Sequence, residues 1–126
     1  MGKPNSVYKK LFSTAKKMYD TIVKELYPGN NVRNILKTQK ILDKEGLTKI
    51  APFAHGLGME APEEPMIGSD KWPLDPIDLK LGMCFSVEPN PVTKDKKMGI
   101  FLGDTFVVTK KGCECLNKFP PELSIV

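Results

Sequence analysis

The chain has 126 residues, 40% hydrophobic and 27% charged, with a formal net charge of +4. That balance suits a single globular domain and excludes a disordered chain. No apolar run reaches the ~20 residues of a membrane span, and Met1–Ser13 lacks the apolar stretch of a signal peptide, so a cytoplasmic location is expected and membrane partners are not. Much of the basic charge sits in pairs (Lys9-Lys10, Lys16-Lys17, Lys110-Lys111) and in the Lys94–Lys97 turn, without the interleaved aromatics that stack bases. They read as solvated lysines, and nucleic acid is not an expected partner.

In chain order, Asn5-Ser6 offers a helix cap, followed by Val7, Leu11, Met18, Ile22 and Leu26 at helical spacing. Tyr27-Pro28-Gly29 should stop this helix. Asn30 or Asn31 can cap a second helix through Val32, Ile35, Leu36, Ile41 and Leu42, with Gly46 as its C-terminal glycine. Beyond Gly46 the period changes. Met83, Phe85 and Val87 alternate with Cys84, Ser86 and Glu88, predicting a strand closed by Pro89. Met98–Leu102 and Asp104–Thr109 are further strand-like runs, and the turn at Lys110–Gly112 leads into Cys113–Leu116. Residues 66–82, around Trp72, look too irregular for an element.

Three cysteines, Cys84, Cys113 and Cys115, are an odd count that speaks against a disulfide framework, and Cys-x-Cys alone is no metal knuckle. Reduced thiols are expected. Helices first and strands after give an α+β layout, with helices on one face of a sheet.

Three stretches go beyond composition. His-Gly-Leu-Gly-Met-Glu-Ala-Pro-Glu-Glu-Pro (55–65), Leu-Lys-Leu-Gly-Met-Cys-Phe-Ser-Val-Glu-Pro-Asn-Pro (79–91) and the run from Gly99 to Leu123 resemble, in order and spacing, the second half of the pita-bread metallopeptidases. That family includes methionine aminopeptidase, Xaa-Pro aminopeptidase, Xaa-Pro dipeptidase (prolidase) and the metal-free creatinase. The Leu26–Ile35 stretch also looks like the family's helix-turn-helix ahead of the histidine motif. The resemblance covers nearly the whole chain and implies one truncated creatinase/aminopeptidase-like domain over residues 1–126. Its implied fold is a half pita-bread, two amphipathic helices packed on a curved, mainly antiparallel sheet.

In the family, a water bridging two divalent ions (Mn²⁺, Co²⁺ or Zn²⁺) attacks the peptide bond, the ions polarising the carbonyl and acidifying the water. The resemblance implies five ligands: two Asp, one His and two Glu. His55 falls on the ligand histidine and Glu88 on the first ligand glutamate. A second, substrate-contacting histidine would fall at residue 62, which is Pro62. The second glutamate would fall at Gly103, and an arginine two residues earlier is Phe101. The two aspartates come from a hairpin ahead of the first helix in full-length members. His55 and Glu88 therefore read as vestigial ligand positions. Asp104 adjoins Gly103 but should face the other side of its strand. Glu60, Glu63 and Glu64 read as a solvated acidic loop, and Gly56 and Gly58 as sites of close backbone approach.

These readings lead to a truncated metallopeptidase homologue without catalysis of its own, acting as an interaction module, with no catalytic residue and no cofactor when alone. The alternative is the C-terminal half of a metal-dependent aminopeptidase or Xaa-Pro dipeptidase. Its aspartate-bearing half would come from another chain or from the missing part of the same protein, and its Mn, Co or Zn would bind on completion. Because one of two similar halves leaves the sheet's inner face uncovered, the expected partner is a second copy or a complementary half-domain.

Overall fold

The structure is a computed structural model describing residues 3–71 and 74–122, so Trp72 lies outside the described residues. The first helix, α1, spans Ser6–Glu25, and the Asn5 side-chain Oδ1 caps it by accepting from the Tyr8 N–H at 2.9 Å. Leu11, Ala15, Met18, Tyr19 and Ile22 form its buried stripe. Each large side chain in that stripe contributes about 1.5–3 kcal/mol on leaving water. The second predicted helix is present as two segments, α2 (Val32–Leu36) and α3 (Gln39–Glu45), joined by a turn at Lys37-Thr38. Asn31 caps α2 by accepting from Arg33 N–H, and Gly46 ends α3 in the left-handed region at φ 65°.

The strands are β1 (Thr48–Lys49), β2 (Ala54–Leu57), β3 (Glu63–Ile67), β4 (Cys84–Val87), β5 (Pro91–Val92), β6 (Asp104–Thr109) and β7 (Gly112–Cys115). Five of them form one antiparallel sheet in the order β3-β2-β4-β6-β7, and β1 pairs with β5 separately. Strands β4, β6 and β7 match the expected runs. Residues 98–102 do not form the expected strand. They run back along 89–93, with Ile100 N–H donating to Pro91 O and Leu102 N–H to Pro89 O. The facing prolines have no N–H to return, so only half a ladder can form. Residues 66–82, expected to be irregular throughout, begin with the end of β3.

Helix α1 packs over one face of the sheet. Phe85 and Val87 of β4, Phe106 and Val108 of β6, and Ala54 and Ile67 join Met18, Tyr19 and Ile22 in one core. Tyr19 ties helix to strand. Its hydroxyl donates to Asp104 Oδ2 at 2.7 Å, and its ring meets Phe106 edge-on at 5.8 Å. Burial, with the neighbouring Asp104 carboxylate adding to it, pushes the Tyr19 phenol well above its ordinary range. Asn90, fully buried, stitches two loops together. Its Oδ1 accepts from Ile50 N–H and Ala51 N–H, and its Nδ2 donates to Pro52 O and Glu88 O.

Replacing Tyr19 by Phe strands a buried carboxylate and should cost about 1.5–3 kcal/mol in urea unfolding. The folded phenol holds its proton more tightly than an unfolded tyrosine at 10.0. Its contribution is therefore full below that value and declines as pH rises through and beyond it. The Tyr19→Phe protein should lose less stability than the parent between neutral and strongly alkaline pH.

Candidate functional site

A strand's two-residue period decides what this site can contain. Across the sheet, Met66, His55, Ser86 and Thr105 lie opposite one another on adjacent strands. The buried positions of β6 are Asp104, Phe106 and Val108, the set that faces α1. His55 and Ser86 therefore belong to the opposite face, and Glu88, two residues beyond Ser86, continues it. Glu88 is held beside β2 by its own N–H, which donates to Phe53 O at 2.8 Å.

The two residues expected as ligand positions come together here. His55 Nε2 is 3.5 Å from Glu88 Oε2, with the histidine side chain 11% exposed and the glutamate 30%. His55 Nδ1 lies 2.9 Å from Gly56 O. A carbonyl oxygen can only accept, so Nδ1 carries the proton and Nε2 turns towards the carboxylate. The other carboxylate oxygen, Oε1, accepts from the Ser86 hydroxyl at 2.7 Å. Ser86 went unrecognised in the sequence, although the Ser-x-Glu spacing on one strand places both side chains on one face. The trio is not a hydrolytic triad, because the serine is joined to the carboxylate and not to the imidazole.

The remaining expected positions do not join them. Pro62 is exposed and offers no donor. Asp104 is on the core face with Tyr19, as its place in the strand required. Glu63 and Glu64 turn back onto their own loop, accepting from Glu60 N–H and Met66 N–H. A carbon built at Gly103 would lie 3.5 Å from Glu88 Cγ, so this position abuts the glutamate but contributes no side chain. Phe101, two residues earlier, is 55% exposed. Among the described residues, no group of three or more His, Cys, Asp and Glu side chains is placed to hold a metal ion. A two-ion centre needs several anionic donors to offset two like-charged ions. One imidazole and one carboxylate already hydrogen-bonded to Ser86 do not fit it. Cys113 donates to Val23 O and burial pushes its thiol up, while Cys84 and Cys115 also stand as free thiols.

The sequence profile of metallopeptidase family M24 matches residues 1–110. The chain belongs to that family. An uncharacterised peptidase of Methanocaldococcus jannaschii is 34% identical over 104 residues, covering 82% of this chain and 29% of the relative. Methionine aminopeptidase of Escherichia coli K12 is 28% identical, over 93% of this chain and 51% of the enzyme. Among solved structures, the prolidase of Pyrococcus horikoshii OT3 superposes with a TM-score of 0.84 at 25% identity, over 98% of this chain and 35% of its own. A prolidase of Thermococcus sibiricus gives 0.83 at 28% identity, over 98% and 33%. This M24 chain thus spans about half, or less, of the length of the relatives it matches. The pita-bread resemblance read from the three motifs holds, and so does the α+β fold of helices on antiparallel strands.

Two glycines near the site separate what the M24 backbone needs from what it merely carries. At Gly56 an added carbon would lie 2.4 Å from Glu64 O, so β2 and β3 can approach only without a side chain there. Gly103 has no left-handed φ and meets nothing closer than 3.5 Å. Gly56→Ala should therefore destabilise the fold by about 1–3 kcal/mol. Gly103→Ala should be neutral or stabilising by about 0.4–1 kcal/mol. Denaturant midpoints of the two variants against the parent measure both.

Proposed function

We propose that this M24 chain is a non-catalytic homologue that acts as an interaction module and pairs with a second copy of itself in the cytoplasm. The observation that carries this reading is Gly103. The position beside Glu88, just ahead of β6, supplies no carboxylate, although its backbone does not require glycine. Pro62 and the commitment of Asp104 to Tyr19 support it further. With no catalytic residue and no bound metal assigned, the retained His55–Glu88 pair is a half-buried polar contact set by the strand register.

Pairing is supported by surface chemistry. Ile50 is 62% exposed and, with Phe101, Val92 and Ile100, lines an apolar groove of about 320 Å³ beside the small β1–β5 sheet. Large apolar side chains gathered in one exposed groove mark a contact surface. A second copy is the proposed occupant, because a two-fold pairing would let each copy cover the other's apolar groove. Sedimentation at micromolar concentration should give twice the chain mass, and a monomer there would remove the self-pairing idea.

The second reading, a C-terminal half completed by an aspartate-bearing chain, is favoured by one observation: His55 and Glu88 still face each other at 3.5 Å. An assay with methionyl and Xaa-Pro peptides supplied with Mn²⁺ or Co²⁺ tests the non-catalytic reading, and repeating it with an aspartate-bearing half-domain added separates that reading from the second. The chain should release no product. Turnover that disappears in a His55→Ala variant would establish catalysis and overturn the non-catalytic reading.

A further inference from the structure

We infer that the Met59 loop of one copy fills the Ile50–Phe101 groove of a second copy, and the reverse, in a two-fold pair. The inference rests on the self-pairing proposed above and names the surface that covers the groove. Met59, in the connection between β2 and β3, is a large apolar side chain standing fully exposed. Its flexible thioether adapts to irregular apolar gaps, and methionine is enriched where proteins meet. Residues 58–64 also hold Glu60, Glu63 and Glu64 and no basic residue. The loop thus presents one apolar side chain in an acidic setting.

The groove has the complementary character. Its lining of Ile50, Val92, Ile100 and Phe101 is apolar, and Lys96 stands in its wall. Lys94 and Lys97, both exposed, flank Lys96, and the one acid of that turn, Asp95, accepts from Lys97 N–H. Loop against groove matches apolar with apolar and acid with base, whereas groove against groove would oppose Lys96 to its own copy. Topology makes the contact reciprocal. Ile50 precedes β2 and Met59 follows it, so the two lie at opposite ends of that strand. Phe101 keeps to the Ile50 end, because Leu102 N–H donates to Pro89 O just beyond β4, whose last residue pairs with the first of β2. A two-fold axis that lays two copies antiparallel therefore brings each loop to the other's groove, and the assembly closes at two chains.

Sedimentation of the full chain and its variants over a range of concentrations provides the test. The parent should form pairs. Met59→Asp and Ile50→Asp should each weaken pairing at least about tenfold, since each spoils an apolar contact made twice per pair. Both side chains are exposed, so melting curves should show the fold unchanged. Mixed in equal amounts, the two variants should associate more tightly than either does alone, because the intact Met59 of one meets the intact groove of the other. Lys96→Glu should also weaken pairing, as should raised salt. A parent pair that survives either aspartate substitution at full strength overturns the inference and leaves self-pairing standing, whereas a monomeric parent overturns both. A mixture that associates no better than its components, or assemblies that grow beyond two chains, overturn the reciprocal contact.

Discussion

Strand β4 is paired on both of its edges, to β2 and to β6, and that double pairing fixes nearly everything else. Its register allows no slip, because Phe85 and Val87 must enter the core against α1. Once they do, Cys84, Ser86 and Glu88 are committed to the opposite face, and His55 is brought opposite Ser86 by the same ladder. The polar cluster is therefore a by-product of burying two apolar side chains. It needs no attraction of its own between His55 and Glu88 to exist.

The same constraint shows which positions around the polar cluster bear on the core and which do not. Pro62 lies in an exposed loop and Gly103 is exposed and in ordinary contact with Glu88, so neither position bears on the core. Asp104, one residue away from Gly103, is on the other face and has a structural duty through Tyr19. Gly103, just ahead of β6, thus stands free of the core, while Asp104, the first residue of β6, is tied into it. Asn90 adds rigidity by binding the loop before β2 to the end of β4, so the two strands carrying His55 and Glu88 are held at a set spacing.

Much of this was legible in the sequence, and the exceptions have physical causes. Capping residues and the 3.6-residue period revealed α1 and the α2–α3 region. The turn at Lys37-Thr38 was hidden because both residues keep near-helical angles, leaving the apolar spacing almost undisturbed. Alternation revealed β4 and β6. Strands β2 and β3 carried no such signal: Ala54-His55-Gly56-Leu57 contains a glycine, and Glu63–Ile67 contains Pro65 and two acids. They are strands because β4 recruits β2 and β2 recruits β3, a tertiary effect that overrides local preference. At the site, His55 and Glu88 were identifiable only through family resemblance. The Ser86 contact followed from a spacing that went unused, and the room at Gly103 is a property of packing that no spacing encodes.

The strand order has one more consequence, for colloidal behaviour. Both outer strands of the five-stranded sheet offer backbone groups for pairing, but they are guarded unequally. Strand β3 carries Pro65, which cannot donate, and a bulge opposite His55-Gly56, both of which spoil it as a template. Among the described residues, strand β7 has neither device, and is guarded by the charge of Glu114 and the flanking Lys110-Lys111. When crowding or partial unfolding drives sticking between molecules, strand addition is directed to the β7 side. Salt that screens those charges weakens the main guard there.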